Sequence, residues 1–110
     1  MIDLSYLQTT TGNDQAVIKE LISLFVNQLP ELKKEIVDSF ATKNWPALRE
    51  ASHKAKNSFE IMGVKQQAEE LKRIELLAVE NKDNNEFDAL ITNFINTCKI
   101  VTEEIAGLQF

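Results

Sequence analysis

The chain is poor in the residues that form turns, with only three glycines and two prolines among 110 residues. So few turn formers argue against a turn-rich β architecture. Uninterrupted apolar runs are only a few residues long, and no basic start precedes an apolar stretch. We therefore expect neither a membrane-spanning segment nor a secretory signal.

Chemically reactive side chains are equally scarce, because Cys98 is the only cysteine and His53 the only histidine. A single cysteine forms no internal disulfide, so a reducing, cytoplasmic setting is the default expectation. One residue of each type is too few for a structural zinc site, and we expect no metal and no cofactor. The formal net charge of −5 gives no support for binding to nucleic acid.

The sequence is rich in apolar residues at helical spacing. Its hydrophobic fraction of 44% and charged fraction of 26% are ordinary for a globular protein, and the length predicts one domain over residues 1–110. Steps of three and four residues predict four amphipathic helices. The four apolar stripes are Ile18, Ile22, Phe25, Leu29, Leu32 and Ile36; Leu48, Ala51, Ala55, Phe59 and Met62; Val64, Ala68, Leu71, Ile74 and Ala78; and Phe87, Ile91, Phe94, Cys98, Val101, Ile105 and Leu108.

Polar residues and helix breakers predict where the first helices begin and end. Residues 1–11 are expected to form a short leading helix, and Asn13 or Asp14 to cap the next one. Pro30 lies inside this second helix, where it removes a backbone hydrogen bond. Because the apolar stripe keeps its phase past Pro30, we expect a kinked but continuous helix.

The later helices have similar boundary signals. Asn44 is expected to cap the third helix, and Gly63 to end it in a left-handed conformation. Asp83 followed by Glu86 resembles an acidic capping box before the last helix. Four helices joined by short turns predict an all-α fold: an antiparallel up-down-up-down four-helix bundle with a short extra N-terminal helix.

His53 lies on the solvent-facing side of the third helix. At about 100° per residue, Arg49, Lys56, Asn57 and Glu60 fall within roughly 60° of it. A neutral imidazole is nucleophilic near pH 7, and nearby cations would balance the charge of a phosphoryl group that it accepted. Helix geometry alone leaves the alternative that His53 is an ordinary solvated surface residue.

The segment from Ala51 to Gly63 resembles the phosphoacceptor signature of histidine-containing phosphotransfer (HPt) domains. In that family, Lys follows the histidine by three residues, Ser by five and Gly by ten, which here are Lys56, Ser58 and Gly63. The resemblance covers essentially the whole chain. Further similar stretches are the family's opening helix, its proline-containing second helix and the entry to its histidine helix, at residues 2–7, 24–32 and 44–48.

This resemblance implies a phosphorelay intermediate that has no kinase site of its own. Such a domain takes a phosphoryl group from the aspartate of a receiver domain, within a hybrid sensor histidine kinase system, and passes it to a response regulator. His53 would carry the group on Nε2, while a hydrogen bond at Nδ1 fixes the tautomer. Lys56 would offset the phosphate charge, and Lys54 would assist from the side. The resemblance further implies that the partner supplies magnesium, and we expect a monomer.

Two positions leave alternatives open. Glu75 matches the Gln or Glu that the family often places beside the histidine, but it is also readable as a solvated helix residue. Asn57 stands where the family usually has Gly, and it would crowd the receiver, hydrogen-bond the phosphoryl group or narrow the choice of partners. The alternative function is an unphosphorylated helical adaptor that binds receiver domains or other proteins.

Overall fold

A computed structural model describes residues 1–108, which form five α-helices and no strand. In chain order these are α1 (Ser5–Thr10), α2 (Gln15–Ala41), α3 (Trp45–Ile61), α4 (Lys65–Ala78) and α5 (Glu86–Ala106). The predicted all-α class is confirmed. The prediction of a single domain over residues 1–110 includes residues 109 and 110, which lie outside the described residues.

Helices α2 to α5 form the bundle, in which α2 packs on α3, α3 on α4, α4 on α5 and α5 on α2. The connections at residues 42–44 and 62–64 are short, so consecutive helices run antiparallel. At about 1.5 Å per residue, the 27 residues of α2 account for most of the 44 Å long axis. The up-down-up-down architecture with an extra N-terminal helix is confirmed. Within residues 1–108, no helix combines the length and apolarity needed to cross a membrane.

The core contains the four predicted stripes. Every stripe residue is buried except Ile105 and Leu108, which are partly buried against the core. Phe59 lies at its centre, with its ring edge-on to Phe25 of α2 at 5.2 Å and to Phe94 of α5 at 5.8 Å. Such aromatic pairs add to the stabilisation from apolar burial. Through Phe59, helix α3 therefore packs against α2 and, across the core, against α5.

Helix α2 has the predicted N-cap and the predicted continuity through Pro30. The Asp14 carboxylate accepts hydrogen bonds from the backbone N–H groups of Ala16 and Val17, which satisfies two donors of the first turn. The helix then runs through Pro30 without interruption. Leu29 and Leu32 on either side of Pro30 are buried, so packing on the core offsets the missing backbone bond.

Helix α3 has the predicted signals at both ends. The Asn44 side chain accepts the Ala47 N–H at 3.2 Å. Gly63 has φ +74°, and it follows the helix in a Schellman motif: its N–H bonds the Glu60 carbonyl, and the Val64 N–H bonds the Phe59 carbonyl, both at 3.0 Å. These caps set the length and direction of the helix that carries His53.

The predicted acidic capping box before α5 is wrong. The N-cap residue is Asn85, without a side-chain cap, and α5 begins at Glu86. The Asp83 carboxylate instead forms an ion pair with Lys43 in the α2–α3 turn. The Glu86 N–H donates a hydrogen bond to Oδ1 of Asn84 at 2.8 Å. Asp83 thus pairs with the α2–α3 turn and does not cap α5, which begins later than the spacing of Asp83 and Glu86 predicts.

Candidate functional site

His53 is an exposed side chain on a rigid part of the bundle. It lies in the middle of the 17-residue α3, and 53% of its side chain is accessible. The opposite face of α3 is fixed in the core by Leu48, Ala51 and Ala55, each at most 3% exposed. The imidazole therefore meets solvent from a backbone that packing holds in place.

One ring nitrogen of His53 has a partner on α4. Its Nδ1 lies 3.1 Å from Oε1 of Glu75, whose side chain is only 14% exposed. A carboxylate only accepts hydrogen bonds, so Nδ1 carries the proton in this contact. In the neutral ring, Nε2 then has the free lone pair. The contact orients the ring and leaves Nε2 as its nucleophilic atom.

Lys54 and Asn57 lie on the side of α3 that faces α2. The Lys54 ammonium is 3.0 Å from Oε2 of Glu35. The hydrogen bond to Glu35, together with its charge, raises the pKa of Lys54 above its ordinary value. Asn57 is exposed and borders the same depression as Lys54, Leu32 and Glu35. Both candidate site residues therefore lie beside α2.

Lys56 lies on the other side of α3, against α4. It is half-buried and borders a depression with Ala68, Glu69 and Lys72. Within residues 1–108 it forms no ion pair. The structure thus puts Lys56 one turn from His53 with its charge uncommitted, although the two residues do not line a common depression.

The surface depression around His53 includes Glu75, but it includes none of Lys54, Lys56 and Asn57. We call it the His53 depression, and its residues are Pro46, Arg49, Glu50, His53 and Glu75. The helical periodicity puts Arg49 on the same face of α3 as His53, but Arg49 lies before the signature segment from Ala51 to Gly63, so the signature gives it no role. Its spacing of four residues from His53 was the available signal.

The other reactive side chain lies apart from this site. Cys98 is buried in the core on α5, and burial raises the pKa of its thiol to about 12. In the described part of the chain, no group of three or more His, Cys, Asp or Glu is arranged to hold a metal ion.

One of three comparisons with known proteins supports this fold. No protein-family model matches the sequence, and no curated protein does. Among solved structures, the chain is similar to the crystal structure of histidine-containing phosphotransfer protein B (HptB) from Pseudomonas aeruginosa PAO1, with a TM-score of 0.84 and 21% identity. The match covers 96% of this chain and 90% of that one. The chain therefore has the fold of a histidine-containing phosphotransfer protein, and the resemblance found in the sequence is confirmed at the level of the fold.

Proposed function

We propose that this protein is a histidine phosphotransfer intermediate of a two-component phosphorelay. The observation that carries the proposal is the oriented, exposed His53, with Nδ1 held 3.1 Å from Glu75 and Nε2 left free. The HPt fold supports it, because the bundle supplies the rigid platform on which such a nucleophile must be presented to a partner.

The chemistry needs few groups from this chain. The Nε2 lone pair attacks the phosphorus of a receiver's aspartyl phosphate, so an N–P bond forms while the P–O bond breaks and the aspartate leaves as a carboxylate. Nε2 carries no proton that must be removed, and Nδ1 keeps its own. The ring gains positive charge, which Glu75 stabilises, and Lys56 offsets the charge of the phosphoryl group.

On this proposal the protein is a phosphocarrier and not an enzyme with its own turnover. It has no kinase site, and receiver domains of a hybrid sensor histidine kinase and of a response regulator are its partners. They contribute the magnesium and the remaining catalytic groups, while this chain needs no cofactor. We further propose that it acts as a monomer in the cytoplasm.

The direct test is phosphoryl transfer from a phosphorylated receiver domain of the same organism, with His53→Gln as the control. Label that reaches the wild type, is stable in base, is labile in acid and is missing from the variant supports the proposal. If no receiver of that organism transfers phosphate although binding is intact, the protein is the adaptor module instead. His53→Gln would then retain full partner binding.

The role of Glu75 has its own test. Replacing it by Ala removes the acceptor that fixes the Nδ1–H tautomer, so we expect transfer to slow by about tenfold, as one charge-assisted hydrogen bond implies. Glu75→Gln retains an acceptor without the charge and should fall between Ala and wild type. Glu80→Ala, at an exposed position in the turn that follows α4, is the matched control. Equal rates for Glu75→Ala and Glu80→Ala would contradict the assigned role.

A further inference from the structure

Arg49 combines an exposed guanidinium with a position beside His53. Both residues line the His53 depression, and they are one helical turn apart on α3. Within residues 1–108 Arg49 forms no ion pair, whereas the chain's other arginine, Arg73, lies 2.7 Å from Glu86 of α5. Arg49 is therefore a cation that no described carboxylate neutralises directly.

Two of the three cations around His53 are on one flank of α3. At 100° per residue, Arg49 and Lys56 lie about 40° and 60° from His53 in the same direction, with one of them a turn before it and the other a turn after. This is the flank that meets α4, because Lys56 borders Lys72 there. The opposite flank holds Glu50, Lys54 and Asn57, and its lysine is already paired with Glu35.

The direction of helical side chains brings His53 closer to the earlier turn. The Cα–Cβ bond tilts towards the helix N-terminus, so a side chain covers the turn that precedes its own Cα. The lining of the His53 depression agrees, because its other α3 residues are Pro46, Arg49 and Glu50, all before His53. Both arguments favour a position over the turn that contains Arg49 for a group attached to Nε2.

We propose that Arg49 binds the phosphoryl group while it is attached to His53, which makes Arg49 a second phosphate-binding residue alongside Lys56. This inference rests on the proposed phosphocarrier function. A guanidinium offers a planar pair of N–H donors that matches two phosphate oxygens, so its contribution depends on shape as well as on charge. Two carboxylates share the depression. Glu75 is hydrogen-bonded to His53 Nδ1, and Glu50 lies on the other flank, where its charge acts on Lys54.

The test uses phosphoramidate, a small donor that needs no protein docking. The His53 Nε2 attacks its phosphorus, an N–P bond to the ring forms, the donor's own P–N bond breaks, and ammonia leaves after taking up a proton. The variants are Arg49→Gln, Arg49→Lys and the matched control Arg73→Gln. Circular dichroism and urea unfolding verify that all three are folded before the rates are compared.

We expect phosphorylation of Arg49→Gln to be about threefold slower than that of Arg73→Gln, the size typical of one exposed charge pair. Arg49→Lys should recover part of the rate, because lysine keeps the positive charge but lacks the planar pair of N–H donors. The difference should shrink when the salt is raised from about 0.05 M to about 1 M, since exposed charges are then screened. A change in backbone packing would show no such salt dependence.

The outcomes separate this inference from the function on which it rests. If wild type and both Gln variants carry phosphate on His53 at the same rate and with the same salt response, the role of Arg49 is overturned while the phosphocarrier function stands. If the wild type takes up no phosphate on His53 from phosphoramidate or from any receiver, the proposed function fails and this inference fails with it.

Discussion

The substitution Gly63→Ala tests how the chain fixes the end of the helix that carries His53. Gly63 has φ +74°, a conformation that L-residues with a side chain rarely adopt. In addition, the N-terminal segment crosses directly over it: a Cβ on Gly63 would collide with the carbonyl oxygen of Asp3. The Asp3 N–H also bonds the Met62 carbonyl at 3.0 Å. An alanine must therefore strain the turn and displace this crossing.

Two contributions set the size of the effect. The left-handed conformation costs alanine roughly 1–2 kcal/mol relative to glycine. Displacement of residues 1–4 forfeits the Asp3 to Met62 hydrogen bond, about 1 kcal/mol, together with packing of the partly buried Ile2 and Leu4. We expect Gly63→Ala to lower the free energy of unfolding by about 2–4 kcal/mol, a large share of the stability of a domain of this size.

Gly12 provides the matched control for this measurement. It also has positive φ, +65°, but a Cβ there would meet nothing within 4 Å. Gly12→Ala should therefore show the conformational cost alone, roughly 1–2 kcal/mol. Urea unfolding of both variants and the wild type, at unchanged m-value, gives the two losses. If the two substitutions cost the same, the close approach of Asp3 contributes nothing and the steric argument is refuted.

Two further predictions concern the ends and the core of the bundle. Asp14→Ala should lower the free energy of unfolding, measured in urea, by about 1 kcal/mol, because two N–H groups of α2 lose their acceptor. Asp14→Asn should keep most of the stability, and equal losses for the two variants would contradict the capping role. The Cys98 thiol has its pKa raised to about 12 by burial, so it should not react with a disulfide reagent at pH 8 until the chain unfolds. Above about pH 9 the unfolded chain releases the Cys98 thiol proton, whereas the folded chain keeps it. The free energy of unfolding should therefore fall as the pH rises above about 9, and it should fall less steeply in Cys98→Ala.

Helical periodicity made most of the fold predictable. Each stripe carries enough apolar residues at one angle to need a partner surface, and short turns allow only antiparallel neighbours. Continuity through Pro30 was predictable for the same reason, because the stripe keeps its phase there. The start of α5 was not predictable, since Asp83 has an equally good local use as a cap. Asp83 pairs with Lys43 because two turns meet at one end of the bundle. The spacing of residues near Asp83 in the sequence does not predict that meeting.

The site was predictable in part. The angle between His53 and the apolar stripe places the histidine in solvent, and this needs no knowledge of the partner helix. The approach of Glu75 depends on the register of α4 against α3, so only the family resemblance could suggest it. The division of neighbours into an α2 flank with Lys54 and an α4 flank with Lys56 likewise depends on the order of helices around the bundle.

That division also bears on Asn57, which occupies the position of the family's usual glycine. Asn57 borders the depression towards α2 and does not line the His53 depression. We therefore expect Asn57→Gly to leave the rate with phosphoramidate within about twofold of wild type, at a stability cost of a few tenths of a kcal/mol. Transfer from a receiver domain should change more, because a docking partner must pass over the α2 flank that a small donor avoids. An equal change with both donors would mean that Asn57 acts on the imidazole itself.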